Sequence, residues 1–198
     1  MQQKFKYIQL GLEAIIPLSG FFFWDWSLYF ILLFYFIDIL VGEVIAHLKS
    51  GQVAAHHGGS TDKLEWIRKG LISGVVLLIG IAIIHIAMMF IAQGINFQEE
   101  IVAFWTYKEM GVQQGFLLVP LVAFAGYQQY KMEFLMPAKY RTTTITAVWK
   151  PHTQALLIIL AFAGLCAGLV HMVQIPEVVY VLGIVIVSFG YRFNQLLT

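Results

Sequence analysis

The stretch SLYFILLFYFIDILVGEVIAHL, from Ser27 to Leu48, decides the fold. Asp38, Glu43 and His47 are its only acids and imidazoles, and neither proline nor a turn signal interrupts it. Its length matches the ~20 apolar residues a helix needs to cross the hydrocarbon of a bilayer. A helix lying on a water-filled surface keeps one polar stripe, whereas apolar side chains here run right round the axis, so lipid or protein must cover every face. The whole chain agrees: 60% of its 198 residues are apolar and 12% are charged, against about a quarter charged in an ordinary soluble domain.

Outward from this segment, five further apolar runs extend from Tyr7 to Phe23, Ile67 to Gln93, Val112 to Gln129, Thr153 to His171 and Val178 to Phe193. The first and last are short, and Pro17 and Gly20 are placed to bend the first. Lys4 and Lys6 lead into this run like the start of a signal peptide, but Glu13 interrupts it and an aromatic cluster stands where small residues would mark cleavage, so we read it as a retained span. Eleven of the twelve Lys and Arg residues fall in alternate gaps. These are Lys4 and Lys6; Lys49, Lys63, Arg68 and Lys69; Lys131, Lys139, Arg141 and Lys150; and Arg192. Only Lys108 falls on the other side, beside Glu99, Glu100 and Glu109. The positive-inside rule then predicts an all-α bundle of six transmembrane helices in a single domain, with both termini cytoplasmic.

Between the spans, Ser50 to Asp62 reads as a Gly- and His-rich cytoplasmic loop, with Asp62 and Glu65 forming a capping box that opens the third span. On the outer side, Asn96 to Gly111 reads as a short interfacial helix. Pro151 suits the first turn of the fifth span. The near-neutral charge balance, twelve basic against eleven acidic residues, excludes the electrostatic footprint of a nucleic-acid binder. Cys166 is the only cysteine, which excludes an internal disulfide. No phosphate loop, GxSxG, HExxH or cysteine cluster occurs.

An ionisable group within hydrocarbon costs ~2.5 to 3.5 kcal/mol on insertion scales, so each one is a candidate for function. Helical rise puts Glu13, Glu43, His47 and His152 at a similar depth near the cytoplasmic face, an inner layer able to hold a metal if the fifth span packs beside the first two. A second layer near the outer face contains His85, Met88, Met89, His171 and Met172. Imidazole with thioether suits Cu(I), and two facing imidazoles suit a haem iron. The plainer alternative is that these histidines are neutral and bonded to a carbonyl or hydroxyl, with the methionines filling gaps. Glu43 and His47 are four residues apart, unlike the Glu-x-x-His of di-metal bundles. A looser metal set, His47, His56, His57 and Asp62, would lie at the cytoplasmic end.

Asp38, the deepest acid, lies nearly opposite His47 around its helix and is either an interhelical hydrogen-bond partner or a proton carrier. Ten aromatic residues crowd the sixteen positions from Phe21 to Phe36. Trp24 and Trp26 read as interfacial anchors, and the surplus suits a ring-shaped ligand, a lipid or a partner subunit. Gly164 and Gly168, flanked by Ala163 and Ala167, and Gly70 with Gly74 form small-residue rows for close helix packing, expected inside the bundle.

The run from Phe22 through Tyr35, Phe36, Asp38 and Gly42 resembles a bacterial family of small multi-span membrane proteins classed as a domain of unknown function. Pro137, Arg141 and His152 echo that family's later proline, basic residue and histidine. The resemblance implies a bacterial inner-membrane location and interest in Asp38, with no activity attached. Three functional readings follow: a non-catalytic subunit or homo-oligomeric component of a membrane assembly, a redox or metal protein with copper or haem, and a proton-linked carrier using Asp38, Glu13 or Glu43. The bilayer is a partner in all three.

Overall fold

A computed structural model describes the backbone of residues 2–106, 108–109, 112–170 and 175–197, and the side chains of 10–11, 14–106, 116–169, 175–190 and 193. The chain is all-α, with seven helices among the described residues: α1 (Gln2–Phe23), α2 (Leu28–His57), α3 (Ser60–Ile91), α4 (Phe97–Thr106), α5 (Gln114–Tyr130), α6 (Ile145–Val170) and α7 (Glu177–Leu197). Before α5, two-residue strands Lys108–Glu109 and Val112–Gln113 form a small antiparallel ladder. The six expected spans correspond to α1, α2, α3, α5, α6 and α7, and α4 occupies the segment read as an interfacial helix. Among the described residues, three helices, α2, α3 and α6, are long and apolar enough to cross a membrane.

The most central helix is α2, which packs against α1, α3, α4, α5, α6 and α7, while α3 lies along α6 and α1 along α7. Two apolar cores result. Leu28, Tyr29, Phe30, Ile31, Phe104 and Val181 belong to the outer one. The inner one joins Ala46, Val53, Ala54, Tyr130, Phe134 and Trp149. Outside both, Leu71, Leu78, Ile86, Leu121, Phe124 and Ile186 project away from the bundle. A surface this apolar is unfavourable in water and suited to lipid.

Several expectations about connections are corrected. The segment read as a loop from Ser50 is helical through His57, because Val53 and Ala54 are buried against Trp149 and Phe134 and the Ser50 hydroxyl donates back to the Ala46 carbonyl at 2.8 Å. Only Gly58 and Gly59 separate α2 from α3, and Gly58, at φ 71°, supplies the left-handed turn that ends α2. The N-cap of α3 is therefore Gly59, with no side-chain capping bond, so Asp62 and Glu65 form no capping box. Instead, Glu65 accepts from the Thr146 hydroxyl at 2.6 Å, tying α3 to α6.

Trp26 is not an interfacial anchor. It is 6% exposed, lies against Gly20, and contacts Trp24 and Phe30 at ring-centroid distances of 5.5 and 4.6 Å. Nor does the row of Gly164 and Gly168 pack closely against any described residue. A Cβ built on either glycine meets nothing within 4 Å. In the other row Gly70 does take the His47 ring against it, whereas Gly74 is open; further close approaches are Gly126 against Val41 on α2 and Gly183 against Phe162 on α6.

Candidate functional site

A polar layer separates the inner and outer cores. Glu43 leaves α2 toward α3 and α6, where its Oε2 accepts from the Ser73 hydroxyl at 2.7 Å and meets Nε2 of His152 at 2.5 Å. The side chains of His152 and Glu43 are 13% and 17% exposed. An ionised carboxylate only accepts hydrogen bonds, so Nε2 of His152 carries the hydrogen. Three helices contribute one group each: α2 and α3, joined by the two-glycine turn, and α6, which connects directly to neither, so this layer sets the height of α6 against the other two. Within the expected inner set, Glu43 and His152 thus come together. His47 does not join them; it lies over Gly70, with Trp66 at 5.0 Å and Trp149 at 6.0 Å between ring centroids. The side chain of Glu13 lies outside the described residues.

At the outer end, His85 has both ring nitrogens engaged. Nδ1 is 2.8 Å from the Ile81 carbonyl, which can only accept, so this nitrogen carries the hydrogen; in the neutral ring Nε2 then accepts from the Tyr29 hydroxyl at 2.8 Å. The ring is stacked parallel to Phe36 and closed over by Phe97 of α4. Carbonyl and hydroxyl partners are those of the plainer reading of this histidine. Met88 is buried beside it, whereas Met89 is 60% exposed and faces outward. His171 and Met172 lie outside the described residues. Since Tyr29 is buried and its hydroxyl lies 2.8 Å from a ring nitrogen of His85, Tyr29→Phe is expected to lower stability by about 1 kcal/mol, measured by thermal unfolding in detergent. An unchanged melting temperature would show that the hydroxyl contributes nothing there.

The third expected cluster is spread out around the α2–α3 turn. His57 Nδ1 lies 3.8 Å from Asp62 Oδ2, while His56 packs edge-on against Tyr140. Among the described residues, no group of three or more His, Cys, Asp or Glu side chains is placed to hold a metal ion.

A cavity of about 1080 Å³ runs between α2, α3, α5, α6 and α7. Along α2 its wall is formed by Leu28, Leu32, Asp38, Gly42 and Lys49, residues that helical periodicity places on one face. The outer part is apolar, with Phe36, Met88 and Phe162. The inner end is polar, with Asp38, Lys49, Gln128, Gln129, Glu133 and His152. Glu133 lies in the π-helical turn Lys131–Leu135 that follows α5, and accepts from Gln129 of α5 at 3.2 Å. His152 therefore links the cavity to the half-buried carboxylate of Glu43. Asp38 and His47 face different sides of α2, as the helical spacing predicts, and only Asp38 lines the cavity.

Sequence reasoning missed Ser73, Tyr29 and the cavity. A lone hydroxyl in the apolar run from Leu71 to Ile79 was the available signal for Ser73. The cavity had no such signal, because its wall is assembled from five helices. No protein-family model, curated protein or solved structure matches this chain.

Proposed function

We propose that the chain crosses a bacterial inner membrane six times, keeps both termini in the cytoplasm, and acts without catalysis as a host for a lipid-like molecule within the bundle. The observation that carries this reading is the cavity, apolar over most of its length and polar at one end, a division that matches an amphiphile. The alternation of basic gaps supports the topology, and the resemblance around Tyr35, Phe36, Asp38 and Gly42 supports the location.

Two experiments test it. Cysteine labelling at positions 63 and 141 is expected to report both on the cytoplasmic face; labelling from opposite faces would defeat the six-span arrangement. Native mass spectrometry of the purified protein is expected to retain a lipid-sized adduct that Ala155→Trp, which fills the cavity wall, reduces at least tenfold. Equal retention by both proteins would place the adduct elsewhere.

A second reading, a homo-oligomeric component of a membrane assembly, is favoured by the open faces of Gly164 and Gly168 on α6. Close helix pairing across such a row requires small residues. Gly164→Ile with Gly168→Ile is expected to turn an oligomer into a monomer in light scattering without loss of folding. An unchanged mass would remove this reading.

A further inference from the structure

Resting on the cavity reading, we infer that the occupant is a neutral long-chain amphiphile with a hydroxyl head, anchored at Nδ1 of His152. The Nε2 side of this ring is committed to Glu43, whose Oε2 is shared with Ser73. Nδ1 has no hydrogen-bond partner among the described residues. It lies beside Gly42, where an added Cβ would come within 3.6 Å of it, and both residues line the cavity. The ring is therefore held from behind by a carboxylate and offers its second nitrogen toward the space a ligand would fill, the arrangement by which an acidic partner orients an imidazole toward its target.

Chemistry restricts the head group. In the neutral ring Nδ1 accepts a hydrogen bond, and in the imidazolium it donates one. A hydroxyl satisfies either state, since it has both a donor and lone pairs. An ether or ester oxygen only accepts, and so serves only the charged ring.

The charges around the polar end point the same way. Asp38 and Glu133 stand against Lys49, so the end carries no cationic excess to hold a phosphate or carboxylate head. A neutral head fits that balance.

Chain length fits the wall. From Gly42 to Leu28, both on the cavity, α2 runs about 21 Å at helical rise. That path, bounded by Leu32, Phe36 and Met88, accommodates an extended acyl or prenyl chain pointing toward the outer face.

The test compares three pyrene-labelled probes of equal chain length, a primary alcohol, its methyl ether and the corresponding carboxylate, bound to the full-length protein in nanodiscs. The alcohol is expected to bind about tenfold more tightly than either other probe, the worth of one hydrogen bond. His152→Phe is expected to reduce that preference below twofold while the ether binds as before. Gly42→Leu, which leaves Glu43 and His152 paired but occupies the space beside Nδ1, is expected to remove the same preference and guards against misfolding of the first variant. Equal binding of all three probes, or a preference that survives Gly42→Leu, overturns the hydroxyl anchor while leaving the cavity reading intact. If no probe binds, or if Ala155→Trp binds them as wild type does, the cavity reading fails and the anchor fails with it.

Discussion

Glu43→Ala is expected to destabilise the protein by about 2–3 kcal/mol, at or below the low end of the scale for removing one partner of a buried pair, since this pair is part-buried. The loss has two sources. Ser73 and His152 each give up an acceptor inside the bundle, and neither has another hydrogen-bond partner among the described residues. Stranding a buried donor costs about 1–3 kcal/mol. The layer also ties α6 to α2 and α3, to neither of which it is joined by a direct connection. A double-mutant cycle separates this effect from simple truncation: in a His152→Ala background, Glu43→Ala is expected to cost at least 1 kcal/mol less, because their mutual contact is already gone. The readout is reversible unfolding in mixed micelles. If the change costs the same in both backgrounds, Glu43 and His152 do not act on each other.

The pairing of Glu43 with His152 was only half legible in the sequence. Depth could be counted, because helical rise is fixed and the apolar runs have visible ends; that arithmetic places Glu43 and His152 at one level. Which helix stands beside which is set by side-chain fit across several helices, and no periodicity within one segment encodes it. His47 shows the difference. It shares the depth of His152, yet it packs over Gly70 and between two tryptophans, because α3 approaches α2 on that side.

Helix existence was legible for a different reason. Lipid offers no hydrogen bonds, so backbone groups within hydrocarbon must be paired inside the chain, and long apolar runs become helices almost regardless of propensity. That constraint ends at the membrane surface, and the reading of the chain weakens at the same place. The continuation of α2 to His57 depends on Val53 and Ala54 meeting Trp149 and Phe134, a tertiary cause hidden among glycine and histidine residues that otherwise read as loop. Likewise, the spacing of Gly164 and Gly168 shows that α6 has a flat face without showing what covers it.

Gly20→Ala is expected to cost about 2–3 kcal/mol, at the upper end of the range for overpacking a filled site. The turn between α1 and α2 is built around this residue: its carbonyl accepts from the backbone N–H of both Trp24 and Trp26, at 3.1 and 3.0 Å, and Asp25 between them takes a positive φ of 51°. The Trp26 ring folds back over the glycine so closely that a Cβ would fall within its van der Waals envelope. Relief by a small ring rotation is blocked, since Trp26 is buried with Phe30 on one side and Trp24 on the other. Either the indole leaves the outer core or α1 shifts away from α2. Gly164→Ala is the matched control: it adds the same methyl group where nothing lies within 4 Å, and is expected to stay within ~1 kcal/mol of wild type. Tryptophan emission supplies a second readout, because expulsion of Trp26 from an apolar setting shifts its spectrum to the red before global unfolding. Equal melting temperatures for the two alanine variants, with no shift in emission, would show that the ring does not rest on Gly20 and that the α1–α2 turn is held in some other way.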